Sequence, residues 1–259
     1  MKSLRIQPAR TIHAAAIVCI MLMLCAVPGC SSSPGDGASQ SAQQQSSTQQ
    51  NGKTPSQGER VASSLREYEQ RLIDLDSQRS DDQTRMAPEQ KAILQRAIDN
   101  GGEISVSDYE AAWSNYKQCM VDKGYTTPVL IKYSNGIMQE AGAYIDPASG
   151  KRDKFTEDDT DCKTIHVLDV DTVYGMQIGN PQLYSHPYPG TVDCLKQEGL
   201  ADSKYTVKQL EQDIEKYRAN DSSATVDLSN PVAAGCMAAN RLVIGRVGDD
   251  EPTWYPLGQ

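Results

Sequence analysis

The cysteines are the residues here whose spacing says most about chemistry. Seven are present: Cys19, Cys25 and Cys30 crowd the N-terminus, while Cys119, Cys162, Cys194 and Cys236 spread through the rest of the chain. Outside the cytoplasm an even set of four favours disulfides over free thiols. Four cysteines permit three connectivities, and the spacing favours one of them. Cys119 and Cys162 lie 43 residues apart, Cys194 and Cys236 lie 42 apart. The first member of each pair also sits in a shared pattern, Cys119-Met120-Val121-Asp122-Lys123-Gly124-Tyr125 against Cys194-Leu195-Lys196-Gln197-Glu198-Gly199-Leu200. Both read as a helix end stopped by glycine. The expectation is two loosely similar halves, closed by Cys119–Cys162 and Cys194–Cys236. A bridge across a loop of that size destabilises the unfolded chain by about 4 kcal/mol on the chain-entropy description.

Other chemistry finds little support. A four-cysteine zinc site normally shows a close C-x-x-C pair, which is missing here. A catalytic thiol needs a base, and only His166 and His186 lie beyond the N-terminal region. Ser114-Asn115-Tyr116-Lys117 matches S-x-x-K without a later K-T-G and falls inside an expected helix. There is no G-x-S-x-G, phosphate loop or H-E-x-x-H. Asp99 to Asp108 has the outline of a calcium loop, but its register puts Ala97 and Gly101 where ligand oxygens belong. Glu157, Asp158, Asp159 and Asp161 crowd an expected helix start, where the dipole favours negative charge; a cation site is the alternative. No metal or cofactor is expected. Tyr184-Ser185-His186-Pro187-Tyr188-Pro189 displays Tyr184, His186 and Tyr188 on a stiff segment. It reads as a contact surface, or as a Pro-rich connector packing its own tyrosines.

The N-terminus supplies an address. Lys2, Arg5 and Arg10 precede an apolar run from Thr11 to Val27, the charge and length of a signal peptide. Ala26-Val27-Pro28-Gly29-Cys30 then resembles the lipobox of bacterial lipoproteins. The resemblance implies removal of residues 1–29, a diacylglycerol thioether on Cys30, and a chain held by two or three acyl groups on the extracytoplasmic face of the cell membrane. Cys19 and Cys25 leave with the signal. Residues 30–59 are Ser, Gln, Gly, Thr and Pro with almost nothing apolar. Such a segment cannot offset its ordering entropy, and it predicts a disordered tether of roughly 30 Å typical reach.

Residues 60–259 form the expected folded domain. The formal charge of −9 becomes three units more negative without the signal, which argues against nucleic acid as a partner. No second apolar run reaches membrane-spanning length. Val61, Leu65, Tyr68, Leu72 and Leu75 form a helical stripe, as do Ile93, Leu94, Ala97 and Ile98 after Pro88. Ser107-Asp108-Tyr109-Glu110 reads as a capping box for a helix carrying Trp113, Tyr116 and Cys119. Ser134-Asn135-Gly136 between two β-prone runs predicts a hairpin, with Lys151 to Phe155 as a third strand. A helix capped by Thr156 carries Cys162. Loop spans Asn180 to Gly190, and short helices follow around Cys194, from Thr206-Val207-Lys208-Gln209 and from Asn230-Pro231. The tail from Gly248 is expected to fray.

The run Asp99-Asn100-Gly101-Gly102-Glu103-Ile104, then Asp108-Tyr109-Glu110, Tyr116, Cys119-Met120 and Gly124-Tyr125, is similar to a pattern in uncharacterised actinobacterial surface lipoproteins with C-[LM]-x-x-x-G. The similarity covers residues 90–194 and brings no established activity. The fold class expected is α+β, mostly α-helical with a small antiparallel sheet and two disulfides. The function expected is a tethered binding or accessory module with an envelope-protein or cell-wall partner. The alternatives are a cell-wall-active hydrolase using His166 or His186 and, less favoured, a transporter's solute-binding protein.

Overall fold

The computed structural model describes residues 58–80, 84–244 and 252–258. The signal segment, Cys30 and all but the last two residues of the expected tether lie outside the described residues.

The first helix, α1 (Leu65–Ser77), is capped by Ser64, whose hydroxyl accepts the Glu67 amide. It faces α2 (Pro88–Asp99) and a later helix, α5 (Leu168–Gly179). Its buried face is shifted from the sequence stripe: Ile73, Glu69 and Asp76 are buried, and Leu75 is 51% exposed. Pro88 opens α2 at a position where its missing amide costs nothing. Gly102 follows with φ +94, and a Cβ there would lie 2.8 Å from the Arg66 nitrogen. Glycine is therefore demanded by both conformation and space.

Next comes α3 (Val106–Asp122). Its cap is Ser105, which accepts the Asp108 amide, so the helix starts before the capping box expected at Ser107. Tyr109, Ala112, Trp113, Tyr116 and Met120 are its buried face, as expected. The Lys123 end closes as a Schellman turn: the Tyr125 amide reaches the Met120 carbonyl at 3.1 Å and the Gly124 amide reaches Val121 at 2.9 Å, with Gly124 at φ +92.

The hairpin forms where Asn135-Gly136 placed it. β1 (Leu130–Lys132) pairs antiparallel with β2 (Met138–Glu140), Ile131 opposite Gln139. The sheet stops there. Residues 151–155, expected as a third strand, open α4 (Arg152–His166) instead, burying Phe155. Thr156 is consequently an interior residue, its hydroxyl donating back to the Arg152 carbonyl, and not the cap. Lys154-to-Asp158 and Asp159-to-Lys163 pairs at one-turn spacing favour this helix over a strand. The acids at 157–161 therefore lie in its middle. Asp158 accepts from Lys123, Lys154 and Tyr125. Burial alone would raise its pKa, but these three hydrogen bonds outweigh burial and hold it at about 2. Asp158, Asp159 and Asp161 thus find cations within the fold.

The expected frayed tail is a second correction. Among the described residues, β3 (Gly142–Ala143) pairs parallel with β4 (Thr253–Trp254). Trp254 is buried, packs edge-on against Phe155 and donates its indole N–H to Thr126. Burial of the large ring, together with the strand pairing and the indole hydrogen bond, offsets the cost of ordering these residues.

The second half is α6 (Pro187–Gln197), α7 (Val207–Arg218) and α8 (Pro231–Ala239). The expected loop over Asn180 to Gly190 ends early, because Pro187 starts α6. Thr206 and Gln209 make the expected reciprocal cap on α7. Two apolar clusters result, one around α1 to α5 and the hairpin, the other around α6 to α8. Cys119–Cys162 joins α3 to α4 in the first, and Cys194–Cys236 joins α6 to α8 in the second. The favoured connectivity is the one observed. The Cα separations of 5.8 and 5.6 Å suit bridged cysteines.

Candidate functional site

Between the hairpin, α3, α4, α5 and the end of α8 lies a cavity of about 420 Å³. That volume is in the range of small-molecule sites. Its walls include Trp113 of α3, Met138 of β2, Val167, Leu168 of α5 and Ala238 of α8. Each enters by an ordinary structural rule. Trp113 lies on the buried stripe of α3, the hairpin register places Met138 and Glu140 on the same strand face, and Val167 joins two consecutive helices.

Charged groups line the same space. Lys163 of α4 donates to Glu140 Oε1 at 3.2 Å and to Asp159 Oδ2 at 2.8 Å. Burial lifts the Glu140 carboxyl to about 7, with Lys163 opposing and Asp159 assisting. Burial also works against the Lys163 ammonium, but Glu140 and Asp159 outweigh it and raise its pKa. Tyr116 holds Asp159 from behind through its hydroxyl at 2.7 Å.

On another wall Arg241 donates through Nη2 to Asp171 Oδ2 at 2.9 Å and to the Leu168 carbonyl at 3.3 Å. Asp171 Oδ1 accepts the Tyr109 hydroxyl at 2.8 Å. Arg241 has φ 56, the left-handed region that few non-glycine residues occupy. The guanidinium is thus carried by a backbone turn that neighbouring contacts must hold.

The arrangement suits binding. It offers an apolar space, two cations whose side chains are 31% and 45% exposed (Lys163 and Arg241), and acids set deeper than the cations. Glu140 near neutrality can also take up or release a proton there.

The residues singled out from sequence fall elsewhere. Tyr184, His186 and Tyr188 do not line the cavity. The Tyr184 backbone is clamped by the Asn180 side chain and bridges to Arg60. His186 caps α6, accepting the Tyr188 amide at 3.4 Å and stacking on the Tyr188 ring at 5.0 Å. All three are half-buried, in the manner of a connector packing its own rings. His166 ends α4 with Nδ1 buried and unpartnered among the described residues, and burial lowers its pKa. No described carboxylate orients that nitrogen, as a hydrolytic triad would require. Ser114 donates to the Glu110 carbonyl inside α3, so the S-x-x-K match is ordinary helix.

Glu140, Lys163 and Arg241 were not legible as a group. They are far apart in sequence and of common type, and only the docking of the hairpin on α4 and the turn after α8 brings them together. Compared with protein-family models, with curated proteins and with solved structures, the chain matches none.

Proposed function

We propose that this chain is a lipid-anchored extracytoplasmic protein whose folded domain is a binding or accessory module of the cell envelope. The observation that supports it best is the pair of disulfides, each tying two helices inside its own apolar cluster. Such bridges persist where thiols are oxidised, the compartment to which a lipobox at Cys30 would deliver the chain. The binding reading is supported by a cavity with mostly apolar walls and charged pairs on two of them. Partners that fit are an envelope protein or a cell-wall component reached from the membrane by the tether.

The test is metabolic labelling with an alkyne fatty acid, followed by membrane fractionation. The full chain should take up label and sediment with membranes, and Cys30→Ser should do neither. An unlabelled full chain, or label that persists in Cys30→Ser, would overturn the proposal.

A further inference from the structure

We infer that the cavity between Trp113, Met138, Leu168 and Ala238 binds a small anionic amphiphile, its medium-length apolar chain inside and its carboxylate head against Arg241 and Lys163. This extends the binding-module reading by naming a ligand class, and it rests on that reading.

Charge complementarity carries the argument. The chain is acidic overall, yet the charged ends nearest solvent at this cavity are cations. Glu140 and Asp171 lie behind them, only 12% and 17% exposed. A head group entering from solvent therefore meets the ammonium and the guanidinium first. Both retain donors. Among the described residues the side-chain hydrogen bonds of Arg241 go through Nη2, with Nε and Nη1 open to an incoming oxygen. Lys163 uses two contacts and has three N–H groups. A planar carboxylate suits the guanidinium fork.

The remaining walls are mostly apolar, Trp113, Met138, Val167, Leu168, Ala238 and Val243 among them, with Gln139 the one uncharged polar side chain and no further charge. This favours an apolar tail over a sugar or peptide. Glu140 removes the main electrostatic objection. With Lys163 and Asp159 of α4 beside it and the Tyr116 hydroxyl of α3 behind Asp159, it titrates near neutrality and can be neutralised by one proton as the anion arrives.

Calorimetry on the folded chain with decanoate, decanol and decylamine, each below its self-association concentration, tests this. Decanoate should bind about tenfold or more tightly than either of the others. Arg241→Gln should lose on the order of that tenfold for decanoate, about 1.4 kcal/mol, while its affinity for decanol stays unchanged. The unaltered chain gives a second readout that needs no variant. An anion beside Glu140 pushes its already raised midpoint further up, so decanoate binding near neutral pH should be accompanied by net proton uptake, seen by comparing buffers of different ionisation enthalpy. Equal affinity for decylamine or decanol, an indifferent Arg241→Gln, or proton release would each overturn the inference. So would binding confined to vesicles of anionic phospholipid, which would place the attraction on a lipid surface and not in the cavity. Any of these failures leaves labelling at Cys30 untouched, so the two readings fail separately.

Discussion

Lys163 reaches Glu140 at 3.2 Å from a helix that also carries Cys162. The bridge at Cys162 ties that helix to α3, and Lys163 ties the same helix to the hairpin. The charged end of the cavity is therefore built on an element fixed at two points. A cavity so framed should keep its shape without ligand, which lowers the ordering cost of binding.

The disulfides set a first prediction. Replacing Cys119 and Cys162 together by Ser, or Cys194 and Cys236 together, should each cost about 4 kcal/mol on the chain-entropy model. Urea unfolding of the two double variants measures it. The losses should be similar, because the closed loops are nearly equal in length. A loss below about 1 kcal/mol in either variant would show that its bridge constrains little.

Glu69 gives the second. It is fully buried in α1, both carboxylate oxygens lack a hydrogen-bond partner among the described residues, and burial raises its pKa from 4.5 to about 7. A group raised on folding contributes stability fully below its unfolded pKa and loses that contribution as pH rises through the folded value. Stability should therefore fall between about pH 4.5 and pH 7. The fall attributable to Glu69 is on the order of 2–3 kcal/mol. Glu69→Met should flatten the slope and be the more stable protein at pH 8. Glu140 and Asp169, also raised by burial, act in the same direction, so a substantial part of the slope remains. Thermal melts from pH 4 to pH 8 decide the matter.

Asp213 gives the third, in the second half. Its carboxylate is 1% exposed and accepts from the Tyr205 hydroxyl and from the amides of Thr225 and Val226, at 2.8, 2.8 and 3.0 Å. One side chain thus fastens α7 to the segments on either side of it. Asp213→Ala strands all three donors, each costing about 1 kcal/mol or more, so a loss of roughly 3–5 kcal/mol is expected by chemical denaturation. Asp213→Asn should recover part of it, since one amide oxygen can still accept.

The fourth concerns the contact between α5 and α8. A Cβ on Gly175 would lie 2.6 Å from the Ala239 carbonyl oxygen, and one on Gly179 2.5 Å from the Ala239 Cβ. Gly175→Ala should destabilise by roughly 1–3 kcal/mol through overpacking, despite the better helix propensity of alanine. A neutral or stabilising outcome would mean that the two helices can part at no cost.

Local chemistry made much of this fold legible in the sequence. The two Cys-x-x-x-x-Gly patterns are two Schellman turns: Leu200 reaches the Leu195 carbonyl in α6 as Tyr125 reaches Met120 in α3. Each cysteine sits one residue before the turn's first carbonyl, so the likeness of the halves rests on a shared helix stop. Asn135-Gly136 fixed the hairpin because few other residues allow its backbone, Gly136 having φ +86. The failures came where distant contacts overrode local signals. Residues 151–155 follow a turn after the hairpin, where a third strand would lie, but Lys154 pairs one helical turn on with Asp158 and Phe155 is buried from a helix. Leu75 fits the α1 stripe by spacing, yet it alone lies exposed at the stripe's end, while Leu65, Tyr68 and Leu72 pack half-buried against the core and α2 and α5 cover the side bearing Glu69 and Ile73. Trp254 lies in an unpromising tail, and only the Thr126 and Phe155 contacts make it core. Apart from the cysteines, the candidate site was illegible for the same reason. Glu140, Lys163 and Arg241 carry no motif, and their chemistry arises from lining one cavity.

The account rests on a chain held outside the membrane by its N-terminal thiol, in a place where its other sulfurs are oxidised. Mass spectrometry of the native protein, extracted from membranes and treated with iodoacetamide before any reduction, tests this most directly. The mature chain should begin at a diacylglycerol-modified Cys30, with no alkyl adduct on Cys119, Cys162, Cys194 or Cys236. An unmodified Cys30 in a chain that keeps residues 1–29, with those four sulfurs alkylated, would contradict it.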